Sequence, residues 1–552
     1  MPESSEKPHN QSGYRVAKAA STVSIFTLLS RIFGMVRDMV TANYFGAGMI
    51  TDAFFVAFKL PNLLRRLVAE GTLSSAFVPI FTDELEHHKE RSKQSLHSII
   101  SFTLLLTGVL TILGLVFSEE LVYLFAPGFA KTADKLELAA TLTRVMFPYV
   151  MVIAMLALYA SVLNCLGVFS YPAASPVSFN IALILAILIF SPAFDIPIFS
   201  LAWAVPIGGF LSLLPQLRVA KKLGYGFGIH SPFKSPAVNH LVKLMVPSIF
   251  SSSLYQVMVF VNTVLASLLI EGSVSWLYYS DRLFQFPLGV FSVAVATAIL
   301  PSLSRFASQG RDDLVSVQLH QALNWITFIT IPASVGLIVV ATPLVRVVYE
   351  YGNFDSASTA MTAVGLAGYA IGLWPISCQT VLVRTFLAKK NTKTPALISC
   401  ISLLLNLFLA VLMMGPITSA PKSIVFEYIS WLHELFPSLQ MRHVGLALAG
   451  SLASFFSMWL SAVALKSIHV EFSMKRLIPT LITTCVATAV MAVSLEYFSR
   501  FFSNDIINML ISVIVGGGIF FLVSLLLRNE EAHSVKKAVK NYLAKRSKSA
   551  TQ

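Results

Sequence analysis

The chain has 552 residues, 56% of them hydrophobic and only 12% charged, with a mean hydropathy of +0.74. A soluble domain is nearer a quarter charged, and a soluble chain of this length divides into several domains joined by polar linkers. The formal net charge of +13 raises the question of nucleic acid, but the distribution of lysine and arginine along the chain accounts for it better as membrane topology.

The first 20 or so residues are polar, and no small-residue cleavage site follows a short apolar core, so the first helix is expected to stay as a membrane anchor. From there, apolar segments recur at 20–41, 51–81, 97–118, 139–165, 172–191, 198–217, 239–270, 275–303, 317–341, 358–387, 394–415, 443–465, 477–497 and 505–527. They predict an all-α polytopic membrane protein of about 14 transmembrane helices. Several segments exceed about 25 residues, which predicts tilt or kinks.

An even count puts both termini on one side. With the N-terminus inside, the inner segments hold about 25 of the lysines and arginines and the outer loops about six. The outer ones are Lys131, Lys135, Arg346, Lys422, Arg442 and Arg500. Both termini are therefore expected in the cytoplasm. The outer insertion at 416–442 is the longest loop, and Trp431, Leu432, Leu435 and Phe436 at helical spacing predict a short interfacial helix there. The basic tail at 528–552 is helix-prone, and both a lipid-bound and a solvated state fit it.

An internal repeat is visible in the prolines. Pro61 and Pro79 recur as Pro287 and Pro301, and Pro148 and Pro172 as Pro375 and Pro395, each pair 222–227 residues apart. This predicts two six-helix halves, near 20–222 and 236–466, related by an axis along the membrane normal. Pro61, Pro148, Pro287 and Pro375 are the expected kink positions. Segment 477–527 is then an addition to the two halves.

Nine basic residues fall within spans: Arg31, Arg37, Lys59, Arg65, Arg66, Arg144, Lys243, Arg282 and Arg384. Arg37, Lys243 and Arg384 lie near span ends, where a long side chain reaches the interface. Acidic Asp38, Asp52, Glu70 and Asp281 accompany the set. A charge at membrane depth costs roughly 2.5 kcal/mol or more unless it meets a partner or a wet cavity. The cations outnumber the anions, which suits a cavity for an anionic ligand, above all a phosphate able to accept bidentate hydrogen bonds.

Other chemistries lack their signatures. The sequence has no G-x-x-x-x-G-K-[ST] loop, no H-E-x-x-H and no G-x-S-x-G. Cys165, Cys378, Cys400 and Cys485 form no C-x-x-C pair and read as apolar packing residues. No metal, cofactor or nucleic-acid partner is expected.

The stretches SRIFGMVRD (30–38), FGAGMITDAFFVAFKLPNLLRRLVAEGTLSSAFVPIF (45–81), APGF (126–129) and GSVSWLYYSDRLFQFPLGV (272–290) resemble the MurJ (MviN) family of lipid II flippases. That family belongs to the multidrug/oligosaccharidyl-lipid/polysaccharide exporter superfamily. The resemblance implies two six-helix lobes around a central cavity, alternating access, and two last helices forming a groove for a lipid tail. It implies a transporter of the bacterial cytoplasmic membrane whose substrate is undecaprenyl pyrophosphate carrying the peptidoglycan disaccharide-pentapeptide, with other cell-wall synthesis proteins as further partners. The family's cavity arginines match Arg31, Arg37, Arg65 and Arg282, accompanied by Asp38, Asp52 and Glu70; Lys59 joins the substrate-binding set from its own span, and Asp281 the supporting acids.

Two departures stand out. The 416–442 insertion is long for the family, and Asn262 stands where some relatives carry an acid suited to sodium. The nearest competing expectation is an exporter of another polyprenyl-linked glycan or small molecule. More distant ones are a membrane-embedded glycosyltransferase or phosphatase and a structural scaffold.

Overall fold

The computed structural model describes residues 8–67, 73–417, 424–435, 439–499 and 504–550, and every regular element among them is helical. The chain packs as two compact units that divide after Gly272. The first holds α1 (Pro8–Phe45), α2 (Met49–Leu64), α3 (Ser74–His87), α4 (Lys89–Val116), α5 (Ser118–Phe125), α6 (Ala133–Met146), α7 (Tyr149–Cys165), α8 (Ser170–Leu185), α9 (Ile198–Lys222) and α10 (Pro236–Ser267). The second holds α11 (Ser273–Pro287), α12 (Val293–Ser308), α13 (Asp312–Val339), α14 (Ala341–Tyr349), α15 (Ser356–Ala370), α16 (Leu373–Ala388), α17 (Lys393–Met414), α18 (Ile424–Leu435), α19 (Arg442–Ala464), α20 (Met474–Ser499), α21 (Asp505–Leu526) and α22 (Glu530–Ala550).

Ten spans among the described residues are long and apolar enough to cross a bilayer, and the bent pair α15–α16, with a 41° break, makes an eleventh. The three remaining expected spans lie on α1, on α2 with α3, and on α10. The first two carry Arg31, Arg37, Asp52, Lys59 and Arg65, so charge lowers their hydropathy.

In the first unit α1 packs on α8, α2 on α6, and α7 on both α4 and α9. Phe77 and Phe81 of α3 stack at 5.0 Å in a core shared with α4, α7 and α10. The repeat read from the prolines assigns α10 to the second half, yet it packs on α3, α4 and α5. The packing boundary therefore falls one helix later than the repeat boundary. In the second unit α17 lies along α19, and α20 lies between α13 and α21. Outward residues such as Ile112, Leu404, Val493 and Ile514 are exposed and apolar, as a lipid-facing surface requires.

The four prolines expected at kinks lie within or beside breaks of regular helix: Pro61 is inside α2 and Pro287 ends α11. π-turns follow Pro61 at residues 65–67 and Pro287 at Leu288–Ser292. Pro148 lies in the break between α6 and α7, and Pro375 opens α16 just past the 41° bend. Proline removes one amide donor and crowds the preceding turn, so a widened or broken turn is its physical signature.

A shared helix terminus echoes the proline spacing. After α7 the Val168 amide bonds Leu163 O at 2.8 Å and Gly167 N bonds Asn164 O, with Gly167 left-handed at φ +77°. After α16 the Asn391 amide bonds Phe386 O at 2.9 Å and Lys390 N bonds Leu387 O, with Lys390 at φ 58°. Both are Schellman closures.

Thr107 and Thr111 of α4 are buried, and each donates its hydroxyl to the carbonyl four residues back, at 2.6 and 2.8 Å. The helix thus satisfies these groups internally.

The 416–442 insertion contains α18. Among its described side chains Ile429 and His433 are buried, His433 Nε2 meeting Val411 O, and Trp431 is exposed, while the side chains of Leu432 and Leu435 lie outside the description. Phe436 lies outside the described residues. Arg528, at φ 56°, turns the chain out of α21. Asn529 then caps α22 through Ala532 N at 3.1 Å and donates to Thr483 of α20 at 2.8 Å. Buried Glu531 accepts from Thr480 at 3.3 Å.

Candidate functional site

In the first unit, α1 carries Arg31, Arg37 and Asp38 in sequence. Arg31 is exposed, whereas Arg37 is half-buried and Asp38 buried. The Arg37 guanidinium grips its neighbour through Nη2 and Nε, at 2.6 and 3.0 Å from Asp38 Oδ1. Its other terminal nitrogen, Nη1, donates to Asn180 Oδ1 of α8 at 3.0 Å, and Asn180 Nδ2 reaches Ser30 O at 3.3 Å. α1 and α8 are thus pinned by one side-chain amide, which also fixes the guanidinium plane. A charge-assisted, multidentate contact of this kind is the strong class of hydrogen bond. Asn180 was not singled out from sequence, although a lone asparagine in an apolar span is a signal in itself.

Helix α2 buries Asp52 and presents Lys59. Lys59 Nζ donates to Thr263 Oγ1 of α10 at 3.1 Å, and that hydroxyl passes its own hydrogen to Val259 O at 2.7 Å. Arg65 is half-buried and Arg66 exposed, on the π-turn after Pro61. Glu70 lies outside the described residues.

Asp52 lies in the first turn of α2, where the helix dipole favours a carboxylate. Its Oδ2 receives Lys135 Nζ at 2.9 Å and the Gly272 amide at 2.8 Å. Lys135 counted as an outer-loop cation by sequence; in the structure its side chain is only 10% exposed, and that of Asp52 2%. The Lys135 ammonium also sits 4.4 Å over the Phe129 ring. Glu271 Oε1 caps the Met49 amide at 2.7 Å. Gly128 of the APGF stretch lies so close to the end of α10 that an added Cβ would stand 2.0 Å from Ser267 O. The motif is therefore a backbone seat for the end of α10, beside the ion pair.

In the second unit, α11 carries Asp281 and Arg282. Trp276, Tyr279 and Ser280 are buried: Tyr279 packs on Tyr349 and Phe354, and the Ser280 hydroxyl reaches Thr362 O of α15 at 2.7 Å. The opposite face is a polar stripe at helical spacing, Tyr278, Asp281, Arg282 and Gln285. Arg282 Nη2 donates to Tyr278 Oη at 3.0 Å while its guanidinium lies 4.8 Å from that ring, and Gln285 donates to Asp281.

The structure therefore groups Arg37 with Asp38, Asp52 with Lys135, and Asp281 with Arg282 on one stripe. The first two are ion pairs, and Asp281 and Arg282 are neighbours on the polar face of α11. Among the described residues no cluster of three or more histidine, cysteine, aspartate or glutamate side chains is placed to hold a metal.

Residues 41–516 match the family model described as lipid II flippase MurJ. The match contains Asp52, Lys59, Arg65 and Arg282, and begins just after Arg31, Arg37 and Asp38. A probable lipid II flippase MurJ of Buchnera aphidicola (subsp. Schizaphis graminum) is 36% identical over 81% of this chain and 82% of its own length. The lipid II flippase MurJ of Burkholderia cenocepacia is 38% identical over 69% of this chain and 75% of its own. A solved structure of lipid II flippase MurJ in an inward closed conformation superposes with a TM-score of 0.75 at 28% identity, covering 93% of this chain and 99% of that one.

Proposed function

The chain belongs to the MurJ family of lipid II flippases, and from that membership we propose that it carries lipid II across the bacterial inner membrane, with its arginines holding the pyrophosphate. It is a multi-span transporter and not an enzyme. The family match across 41–516 carries the reading. The arginine chemistry gives it a mechanism.

A pyrophosphate offers several oxygens to planar guanidinium donors. Arg37 is held ready by Asp38 and Asn180, and Arg282 by Tyr278. Preset donors lose little entropy on meeting the anion. Arg31 is exposed and free of the burial that would shield it from a ligand. The polyprenyl tail remains in lipid, along a groove formed by 477–527, while the sugar and peptide cross within the protein. Two lobes exchange access by rocking, with the kinks at Pro61, Pro148, Pro287 and Pro375 absorbing the bends. Both termini lie in the cytoplasm, as the lysine and arginine bias requires.

The test is exposure of lipid II on the outer face of cells in which this protein is the only such flippase, read by an external enzyme that cleaves exposed lipid II. Arg31→Ala, Arg282→Ala and Arg37→Lys, at matched membrane levels, are expected to lose exposure and accumulate lipid II inside. Arg37→Lys keeps the charge and removes the fork, so it separates geometry from net charge. Wild-type exposure in all three variants would sink the arginine mechanism.

A further inference from the structure

We propose that the loop joining α9 to α10, residues 223–235, is a membrane anchor whose apolar side chains insert into the lipid interface. The loop belongs to no span, yet Phe227 is 56% exposed, Ile229 74% and Phe233 79%. Single exposed apolar residues are ordinary, but three in seven positions form a patch that calls for an occupant.

The loop is held in place rather than loose. Tyr225 is buried, stacked edge-on against Phe81 at 5.5 Å with its hydroxyl 3.2 Å from Ser92. Gly228 passes so near His97 that a Cβ there would stand 2.5 Å from the ring. His230 N donates to Ser101 Oγ at 3.0 Å, and the His230 ring meets Gln94 at 2.9 Å. Close approach of backbone to a ring is possible here because glycine has no side chain.

Those contacts also fix the depth. Ser92, His97 and Ser101 lie along α4 in order, and nine residues of helix rise about 13 Å. The loop therefore climbs from the charged start of α4, with Lys89, Arg91 and Lys93, to the level where the helix turns apolar. One and two turns further on, Leu105 and Val109 are exposed in the manner of lipid-facing residues. The patch lies beside that boundary. Lys221, Lys222 and Lys234 flank it, as headgroup phosphates favour. An apolar tip between lysines, continuous with a spanning surface, matches the chemistry of a lipid interface.

The experiment uses the full-length protein in nanodiscs of phosphatidylethanolamine and phosphatidylglycerol, with Cys165, Cys378, Cys400 and Cys485 replaced by alanine. Nitroxide labels are placed by Ile229→Cys and Phe233→Cys, with Leu404→Cys as the lipid-facing control and Ser308→Cys as the aqueous control. Power saturation compares access by oxygen, which partitions into lipid, with access by a water-soluble nickel chelate. The expected result is an oxygen-to-nickel ratio at 229 and 233 shifted from the Ser308 value toward the Leu404 value. Ratios equal to the Ser308 value would overturn the proposal by placing the patch in water. Low access to both agents would overturn it by placing the patch against protein, a second copy of the chain included.

Discussion

Lys135→Met removes the ammonium from the Asp52 pair while keeping an unbranched side chain over the Phe129 ring. Both partners are almost wholly buried, at 10% and 2% side-chain exposure, so solvent screens the interaction little. Removing one member of a buried pair costs about 3–5 kcal/mol, chiefly because the remaining charge stays buried. The Gly272 amide, 2.8 Å from Asp52 Oδ2, still donates in the variant, which favours the lower end of that range. A loss of about 3 kcal/mol exceeds a hundredfold in the folding equilibrium. Asp52→Asn in the same chain removes the stranded charge and keeps an acceptor for Gly272, so the double variant should recover most of the loss. The assay is unfolding of the purified protein in nanodiscs for wild type, both single variants and the double. A loss below about 1 kcal/mol for Lys135→Met, or a double variant equal to the sum of the singles, would refute a coupled buried pair.

Gly128→Ala puts a methyl group 2.0 Å from the Ser267 carbonyl oxygen, and backbone there yields little. Overpacking of this kind costs about 1–3 kcal/mol, so a lower unfolding midpoint is expected; an unchanged midpoint would mean the APGF seat is not tight. The tail root titrates. Burial, only partly offset by hydrogen bonds from its own amide and the Thr480 hydroxyl, pushes the Glu531 carboxyl above its ordinary value of 4.5. A raised carboxyl pKa means the folded state holds the proton more tightly than the unfolded chain does. Docking of α22 is therefore firmest below 4.5 and weakens as pH rises through the raised value. Limited proteolysis of the tail should be slower at mildly acidic than at neutral pH, and Glu531→Gln should remove that difference; equal pH dependence in both proteins would assign the effect to another group.

The spans were legible because they rest on a local signal, apolar runs of bilayer length. The polar set was legible by residue type but not by partner. Arg37 and Asp38 are neighbours in sequence, whereas Asn180 meets them across α8 and looks ordinary until that helix is placed. The partner of Lys135 was hidden for a physical reason. A charge count treats every lysine outside a span as solvated, but at the start of α6 its flexible stem can turn inward to a carboxylate 83 residues earlier in the chain. The packing boundary after Gly272 was likewise hidden, because a sequence repeat records similar helices and not which neighbours each one packs against.

The two ways of satisfying polar groups have a consequence for biosynthesis. Thr107 and Thr111 of α4 bond to their own helix, so that part of the segment can enter lipid as soon as it leaves the ribosome. α1 pairs Arg37 with its own Asp38, but its link to α8 and the partners of α2 come from elsewhere. Asn180 of α8, Lys135 at the start of α6 and Thr263 of α10, which reach Arg37, Asp52 and Lys59, are all made later. Each exposed charge would meanwhile cost about 2.5–3.5 kcal/mol at the bilayer centre. Asp52 of α2 must therefore wait beside the insertion machinery, or in a water-filled part of it, until Lys135 emerges to neutralise it, and release of that helix into the bilayer follows the order of pairing and not the order of synthesis.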